Sequence, residues 1–225
     1  MKVVFAEQVR EIANGISLVT ATMENVKVRK IHEYTEGLKK DIILKFRQAY
    51  TLDDLGKDPR IEAFRRLYWL FRMDPTKIRP SSEALARRVL SGSDLPTINT
   101  VVDLNNAMSL KYLLPIGIYD ADKIEGTLHV RIAKNGESIT KIGGKIEVLK
   151  DKELVISDEK KIIGLGYASS DSDTTKVSET TKKLSILIYC APGTLTQASE
   201  ACLEELVTHL IKCSGGTCIE RSVLR

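Results

Sequence analysis

Histidine is scarce: the 225 residues include three, at positions 32, 129 and 209, too scattered for a His-based catalytic constellation. No phosphate-binding Gly-x-x-x-x-Gly-Lys-Ser/Thr loop occurs, because Gly143-Gly144-Lys145 lacks the earlier glycine and runs into Ile146. A Gly-x-Gly-x-x-Gly fingerprint is missing as well; Gly164-Leu165-Gly166 is a fragment of one. There is no nucleophile elbow and no His-Glu-x-x-His. ATP-driven ligation is therefore not expected, nor is a nucleotide or any other cofactor. No apolar run is long enough to span a membrane. The N-terminus shows no apolar stretch followed by a small-residue cleavage site. The four cysteines, at 190, 202, 213 and 218, then read as free thiols of a reducing, cytoplasmic protein. His209, Cys213 and Cys218 lack a fourth ligand and fit no common zinc spacing, so no metal is expected.

What is present is a globular composition, 43% hydrophobic and 28% charged, with a net charge of +4. The charge is uneven. Between residues 60 and 90 stand Arg60, Arg65, Arg66, Arg72, Lys77, Arg79, Arg87 and Arg88, against Glu62, Asp74 and Glu83. A face of this kind attracts phosphate-bearing partners through counterion release, or it is simply a solvated charged surface. Lys77, Arg79, Arg87 and Arg88 are the candidate RNA contacts. The length suits one domain over 1–225: an extension at 1–78, a core at 79–191, and a terminal helix and strand at 192–225. Nothing in the pattern fixes an oligomeric state.

Val3–Phe5 and the Val-, Thr- and Ile-rich segment Ile16–Val28 read as strands. Ile31, Leu38, Ile42 and Phe46 have helical spacing, and Asp53–Asp58 reads as a polar break. Asp58 before Pro59 is an N-cap followed by a first-turn proline, predicting a helix to about Arg72. Phe64, Leu67 and Leu70/Phe71 would face inward, with Trp69 expected in the core rather than on the lip of a cleft. Ser81 is expected to cap a helix from Ser82 to Ser91, with Glu83 in its first turn and Arg87 pointing away from the core. Asn99 then caps a helix ending near Tyr112.

After Pro115 the pattern turns to strands: Ile116–Tyr119, Thr127–Ala133, Ile146–Leu149, Leu154–Ser157 and Lys161–Tyr167, with Asn135-Gly136 as a hairpin turn. Ser169–Thr181 is polar and reads as a mobile loop. Leu184–Cys190 is near-continuously apolar, as in a central strand. Thr194 and Gln197 read as a capping box opening the last long helix, which Gly215-Gly216 ends before a strand at Cys218–Leu224. Helices first, then strands, then a helix predict an α+β fold: N-terminal strands and helices packed with a mostly antiparallel or mixed sheet.

The helix capped by Asn99 carries the most unusual pattern. Asn99, Asp103 and Asn106 share one face, with Asn105 beside them. Short polar side chains are poor helix formers. Something must offset that cost: either they hydrogen-bond neighbouring loops, or they line a polar pocket.

The run Asn99-Thr100-Val101-Val102-Asp103-Leu104-Asn105-Asn106, then Leu114-Pro115-Ile116-Gly117-Ile118-Tyr119-Asp120, resembles the editing domain of the phenylalanyl-tRNA synthetase beta chain. There the pattern is Asn-x-Val-Val-Asp-(Val/Leu)-(Thr/x)-Asn, then Pro-Leu-His-Ala-Phe-Asp. The likeness continues through Ile124–Ala133 and Gly136-Glu137 to Ile163-Gly164-Leu165-Gly166, covering about residues 79–191. The whole chain is similar to free-standing relatives of that domain, which share Asp-Pro-Thr-Lys at 74–77, the Arg79–Arg88 segment and the final Ala-Pro-Gly-helix.

The resemblance implies an α+β domain that accepts the 3′ end of tRNA and, in the synthetase, hydrolyses tyrosine wrongly attached to tRNA for phenylalanine. It implies a substrate pocket at Asn99, Asn105, Asn106, Gly117, Tyr119, Gly164 and Gly166. Asn106 matches the asparagine of the pattern, and Asn105 replaces its threonine. Gly117 stands in place of the histidine, and no glutamate occurs in Ile186-Leu187-Ile188-Tyr189 where the family has one. Tyr167 and Ala168 stand where the glycine loop continues. Asn105, Asn106 and Asp103 are the catalytic candidates; the amides orient a water but are not bases, whereas Asp103 or Asp120 would be one unless used structurally. Three readings result: an aminoacyl-tRNA hydrolase acting in trans, a non-catalytic module that binds tRNA, another RNA or a small ligand, and a protein-interaction domain that has reused the fold.

Overall fold

The computed structural model describes residues 1–167, 170–195 and 197–225. The chain opens with β1 (Val3–Phe5), α1 (Glu7–Ile12) and β2 (Ser17–Glu24). Five helices follow: α2 (Glu33–Ala49), α3 (Leu52–Lys57), α4 (Pro59–Leu70), α5 (Ser81–Leu90) and α6 (Thr100–Tyr112). The strand-rich part comprises β3 (Ile116–Asp120), β4 (Leu128–Ile132), β5 (Ser138–Thr140), β6 (Ile146–Val148), β7 (Leu154–Ser157), β8 (Ile162–Leu165), β9 (Ser170–Asp171) and β10 (Leu184–Cys190). The chain then forms α7 (Gln197–Ser214) and β11 (Thr217–Leu224). This is the expected α+β arrangement.

One sheet runs β11-β2-β10-β3, antiparallel throughout. The apolar run of β10 occupies an interior position, and all its residues are buried. A second sheet runs β1-β4-β7-β8-β9 and is mixed, because β1 pairs with β4 in parallel. A small hairpin of β5 and β6 forms a third sheet that packs against β8. Helix α6 packs on β3, and α7 on β2 and β10, while α2 and α5 cover the outside of α6. Buried apolar side chains from Val3 to Cys213 join in one cluster.

Local chemistry explains most helix ends. Asp58 accepts from Arg60 N–H ahead of Pro59, and Asn99 Oδ1 accepts from the N–H groups of Val101 and Val102. Helix α6 stops at Leu113, which takes a left-handed conformation (φ 52°) while fully buried, and the chain turns directly into β3. A bulky residue in that region is strained, so surrounding packing must hold it there.

Several expectations are corrected. Residues 53–58 are not a break; Thr51 and Asp54 form a reciprocal capping box that starts α3. Helix α1, between the first two strands, has no counterpart in the sequence reading. Trp69 is 58% exposed, because the inward side of α4 is formed by Ile61, Phe64 and Leu67/Tyr68. Pro80, not Ser81, occupies the cap of α5, with no side-chain bond. Asn135-Gly136 turns the chain without joining paired strands; the hairpin is β5–β6, around Gly143-Gly144. Helix α7 starts at Gln197, and the N–H and hydroxyl of Thr194 both donate to Ala191 O; among the described residues no capping box joins Thr194 to Gln197. The segment read as a mobile loop is packed over its described part, with Ser172, Thr175 and Thr181 buried; Ser169 lies outside the described residues.

The cost of the polar helix is offset by an ion pair. Lys39 Nζ, on α2, donates to Asp103 Oδ2 (3.0 Å), Glu36 Oε1 (2.9 Å) and Thr97 Oγ1 (2.8 Å), while Asp103 Oδ1 accepts from Ile98 N–H (2.8 Å). Burial pushes the ammonium pKa down, but Glu36 and Asp103 outweigh it and hold the group above its ordinary value. Asp103→Asn should cost about 3 kcal/mol in urea unfolding, because it leaves the ammonium under-compensated and out of water. A much smaller loss would mean that Glu36 suffices.

Candidate functional site

A cleft of about 250 Å³ opens between α5, α6, β3 and the segment around β9. Its polar wall is Asn105, Asn106 and Ser109 from α6, Ser81 from α5, Tyr119 from β3, and Asp171 and Lys176 from the segment around β9. Its apolar wall includes Leu85, Val102, Ile116, Ile118 and Val177, with Ile142 from the turn after β5. Asn105 Nδ2 donates to Ile116 O (3.2 Å), which ties α6 to β3. Asn105 Oδ1 and Ser81 Oγ are buried and have no hydrogen-bond partner among the described residues. An unsatisfied buried acceptor costs about 1–3 kcal/mol, so Asn105 Oδ1 carries an unmet acceptor capacity at the edge of the cleft.

Beneath the cleft lies a chain of hydroxyls ending in a carboxylate. Tyr119 Oη donates to Asp171 Oδ1 (2.8 Å) and lies 2.9 Å from Tyr189 Oη on β10. With the Tyr119 proton on the carboxylate, Tyr189 is the donor in the second bond. Burial raises the pKa of Asp171 from 3.8 to about 6, against the opposing pull of the Tyr119 bond. Burial also raises both phenols well above 10.

Gly117 is what lets the hydroxyls meet. A Cβ at 117 would lie 2.6 Å from Tyr119 Oη and 2.7 Å from Tyr189 Oη. The place a side chain would occupy at 117 is filled by the two tyrosines. At Gly164 the clearance is larger, 3.2 Å from Tyr119 Oη and 3.6 Å from Asp171 Oδ1.

A second groove, of about 330 Å³, adjoins the cleft and is lined by Lys77, Ile78, Arg79, Ala84, Arg87, Lys141 and Ser170. Its lining includes four cations and no carboxylate among the described residues. Three chain segments pass from one depression to the other, through Arg79 and Ser81, Lys141 and Ile142, and Ser170 and Asp171. Glu83, buried under α5, fixes Arg87 Nε at 2.7 Å and Arg65 Nε at 3.0 Å. Burial alone would raise the Glu83 pKa, but the two guanidiniums outweigh it and hold it below its usual value.

The sequence-derived residues therefore separate. Asn105, Asn106 and Tyr119 line the cleft, and Gly117 and Gly164 lie under the Tyr119 hydroxyl. Asn99 caps α6, Asp103 holds Lys39, and Gly166 turns the chain at φ 61°; none of the three lines the cleft. Asp120 accepts from Thr181 Oγ1 (2.7 Å) and pairs with Lys123 (3.2 Å). Lys77, Arg79 and Arg87 share the basic groove, whereas Arg88 Nε is turned onto Asp94 O (2.8 Å). The rest of the basic window is not one face: Arg60 pairs with Asp58 and Arg66 with Glu62. The sequence reading missed Asp171, Lys141 and the unpartnered Ser81. No local signal marks Asp171, because its tyrosine neighbours come from distant strands.

The fold and these depressions define an α+β domain whose half-buried carboxylate lies next to a cationic groove. The B3/4 domain profile matches residues 63–204, more than half the chain, and the chain belongs to that family. It is 32% identical over 123 residues to the phenylalanine–tRNA ligase beta subunit of Fusobacterium nucleatum, over 55% of this chain and 15% of that one. It is 38% identical over 92 residues to the corresponding subunit of Neisseria gonorrhoeae, over 39% of this chain and 12% of that one. The chain thus spans a small part of the length of these relatives. The crystal structure of an N-terminal fragment of the phenylalanyl-tRNA synthetase beta-subunit from Pyrococcus horikoshii superimposes with a TM-score of 0.54 at 15% identity, covering 96% of this chain and 50% of that one. That likeness concerns the fold alone. Among the described residues no helix is long and apolar enough to cross a membrane.

Two outcomes follow from the geometry. Gly117→Ala should destabilise the protein by about 1–3 kcal/mol in urea unfolding, because its Cβ meets two buried hydroxyls. Asp171 binds a proton more readily in the fold than in the unfolded chain, so its contribution weakens the fold as pH rises from 3.8 to about 6. Asp171→Asn should therefore be more stable than the parent above pH 6, with the difference vanishing toward pH 4 in paired melting curves.

Proposed function

We propose that this protein binds the aminoacylated 3′ end of a tRNA and hydrolyses the ester, acting in trans on tRNA charged elsewhere in the cytoplasm. The aminoacyl group would enter the cleft, and the adjoining phosphates would lie in the basic groove. The observation that carries this reading is the shared wall of the two depressions, where cations and cleft-lining groups alternate along the same three segments. Membership of a family that matches synthetase beta subunits supports it.

The division of labour is chemical. Apolar residues receive a side chain, the amides of Asn105 and Asn106 orient polar atoms, and the cations neutralise phosphate without reading a base. Lys77, Arg79, Arg87 and Lys141 are the proposed RNA contacts. Asn105, Asn106 and Tyr119 are the proposed pocket, with Gly117 and Gly164 as its floor.

A second reading, binding without hydrolysis, is favoured by one observation: the volume at Gly117 is filled by tyrosine hydroxyls, where the resembled domain has a histidine. Incubating the protein with a panel of correctly and wrongly charged tRNAs separates the two. Release of amino acid from a mischarged species is expected; salt-sensitive binding without release would favour the second reading. The double variant Lys77→Ala, Arg79→Ala should weaken tRNA binding and flatten the log affinity–log salt slope by about 1.4, the value for two single-strand phosphates. Arg88→Ala should leave both unchanged.

A further inference from the structure

Ester hydrolysis needs a group that takes a proton from water, and the amides of the cleft do not supply one. Resting on the hydrolase reading above, we propose that Asp171 is the general base of the cleft and that Tyr119 positions it. Asp171 is the one carboxylate lining the cleft among the described residues. It sits on the short edge strand β9, half-buried, and its Oδ1 is held by Tyr119, itself held by Tyr189. Its second oxygen accepts no hydrogen bond from the described residues, and no cation among them pairs with it. The other carboxylates considered are occupied: Asp103 by Lys39 and Ile98 N–H, Asp120 by Thr181 and Lys123. A base that ionises near the working pH combines a sufficient ionised fraction with sufficient basicity, and burial places Asp171 in that range.

The step balances with water as the only co-reactant. Water gives a proton to the Asp171 carboxylate as its oxygen bonds to the ester carbonyl carbon, and the carbonyl π pair moves onto oxygen. The tetrahedral intermediate collapses; the carbonyl re-forms and the bond from carbon to the ribose oxygen breaks. Asp171 returns its proton to that ribose oxygen, leaving a free amino acid, a tRNA with its terminal hydroxyl restored, and an ionised Asp171. Asn105 and Asn106 act on the ester by orientation.

The titratable and charged groups around Asp171 are few. They are Tyr119 from β3, Tyr189 from β10, Lys176, whose ammonium is on Asp173 (2.8 Å), and Lys141, which is paired with Glu147. Deacylation of the best substrate of the charged-tRNA panel, measured by single turnover against pH, tests the assignment. The parent rate should rise with pH to a plateau with a midpoint near 6. Asp171→Asn should lower the plateau about 100-fold or more, with tRNA affinity intact and a melting temperature no lower than the parent's. Tyr119→Phe removes a bond that favours the ionised carboxyl, so the midpoint of its pH profile should move upward. A near-parental rate and profile in Asp171→Asn would overturn the role of Asp171 while leaving the hydrolase reading in place. No release by the parent from any charged tRNA would overturn both.

Discussion

One ammonium group taken out of water holds the arrangement together. Lys39 reaches from α2 to Asp103 and to the strap before α6, with about a twentieth of its side chain exposed. An apolar contact would also hold α2 against α6, but burial is non-directional and would tolerate rotation of the helix. An ion pair out of water is unfavourable unless its geometry is satisfied. With Asp103 fixed, the Asn99 cap is fixed four residues earlier, and Asn105 and Asn106 are turned toward β3 two and three residues later. The polar content of α6 is thus divided: Asn99 and Asp103 hold the helix, Asn106 faces the cleft, and Asn105 does both.

The floor of the cleft shows the complementary constraint. Removing a side chain at 117 does not leave a void, because Tyr119 and Tyr189 bring their hydroxyls into the space. Protein interiors are close-packed, so a missing group is replaced by its neighbours. Here that packing brings the Tyr119 phenol into contact with the Asp171 carboxylate at the polar end of the cleft.

What the sequence disclosed depended on how local the responsible chemistry was. The Asp58-Pro59 start, the Asn99 cap and the buried strand at Leu184–Cys190 follow rules that act within a few residues, and each stands in the structure. The start of α3 obeys an equally local rule through Thr51 and Asp54, but the acidic run at 53–58 masks it as a polar break. Trp69 was misplaced because one residue along α4 is 100° around the helix, and Tyr68 took the inward position. The clustering of Lys77, Arg79 and Arg87 was visible in the charge pattern, but Lys141 joins them only through the hairpin turn. Asp171 was illegible for a deeper reason: a Ser- and Asp-rich strap looks the same whether it meets water or two buried tyrosines, and those come from β3 and β10.

The register of the first sheet also sets a timetable. Strand β2 pairs with β10 and β11, so that Ser17 waits for Cys190 and Leu18 for Leu224. At the usual pace of translation, a nascent chain would carry β2 with both edges open for on the order of ten seconds. Long-range pairing of this kind is slow to nucleate and exposes template edges in the meantime. The tyrosine that ends the hydroxyl chain arrives on the same late strand, so the cleft acquires its floor only when the sheet closes. A chain truncated before β10 would hold every residue that lines the cleft but lack the Tyr189 hydroxyl beneath it.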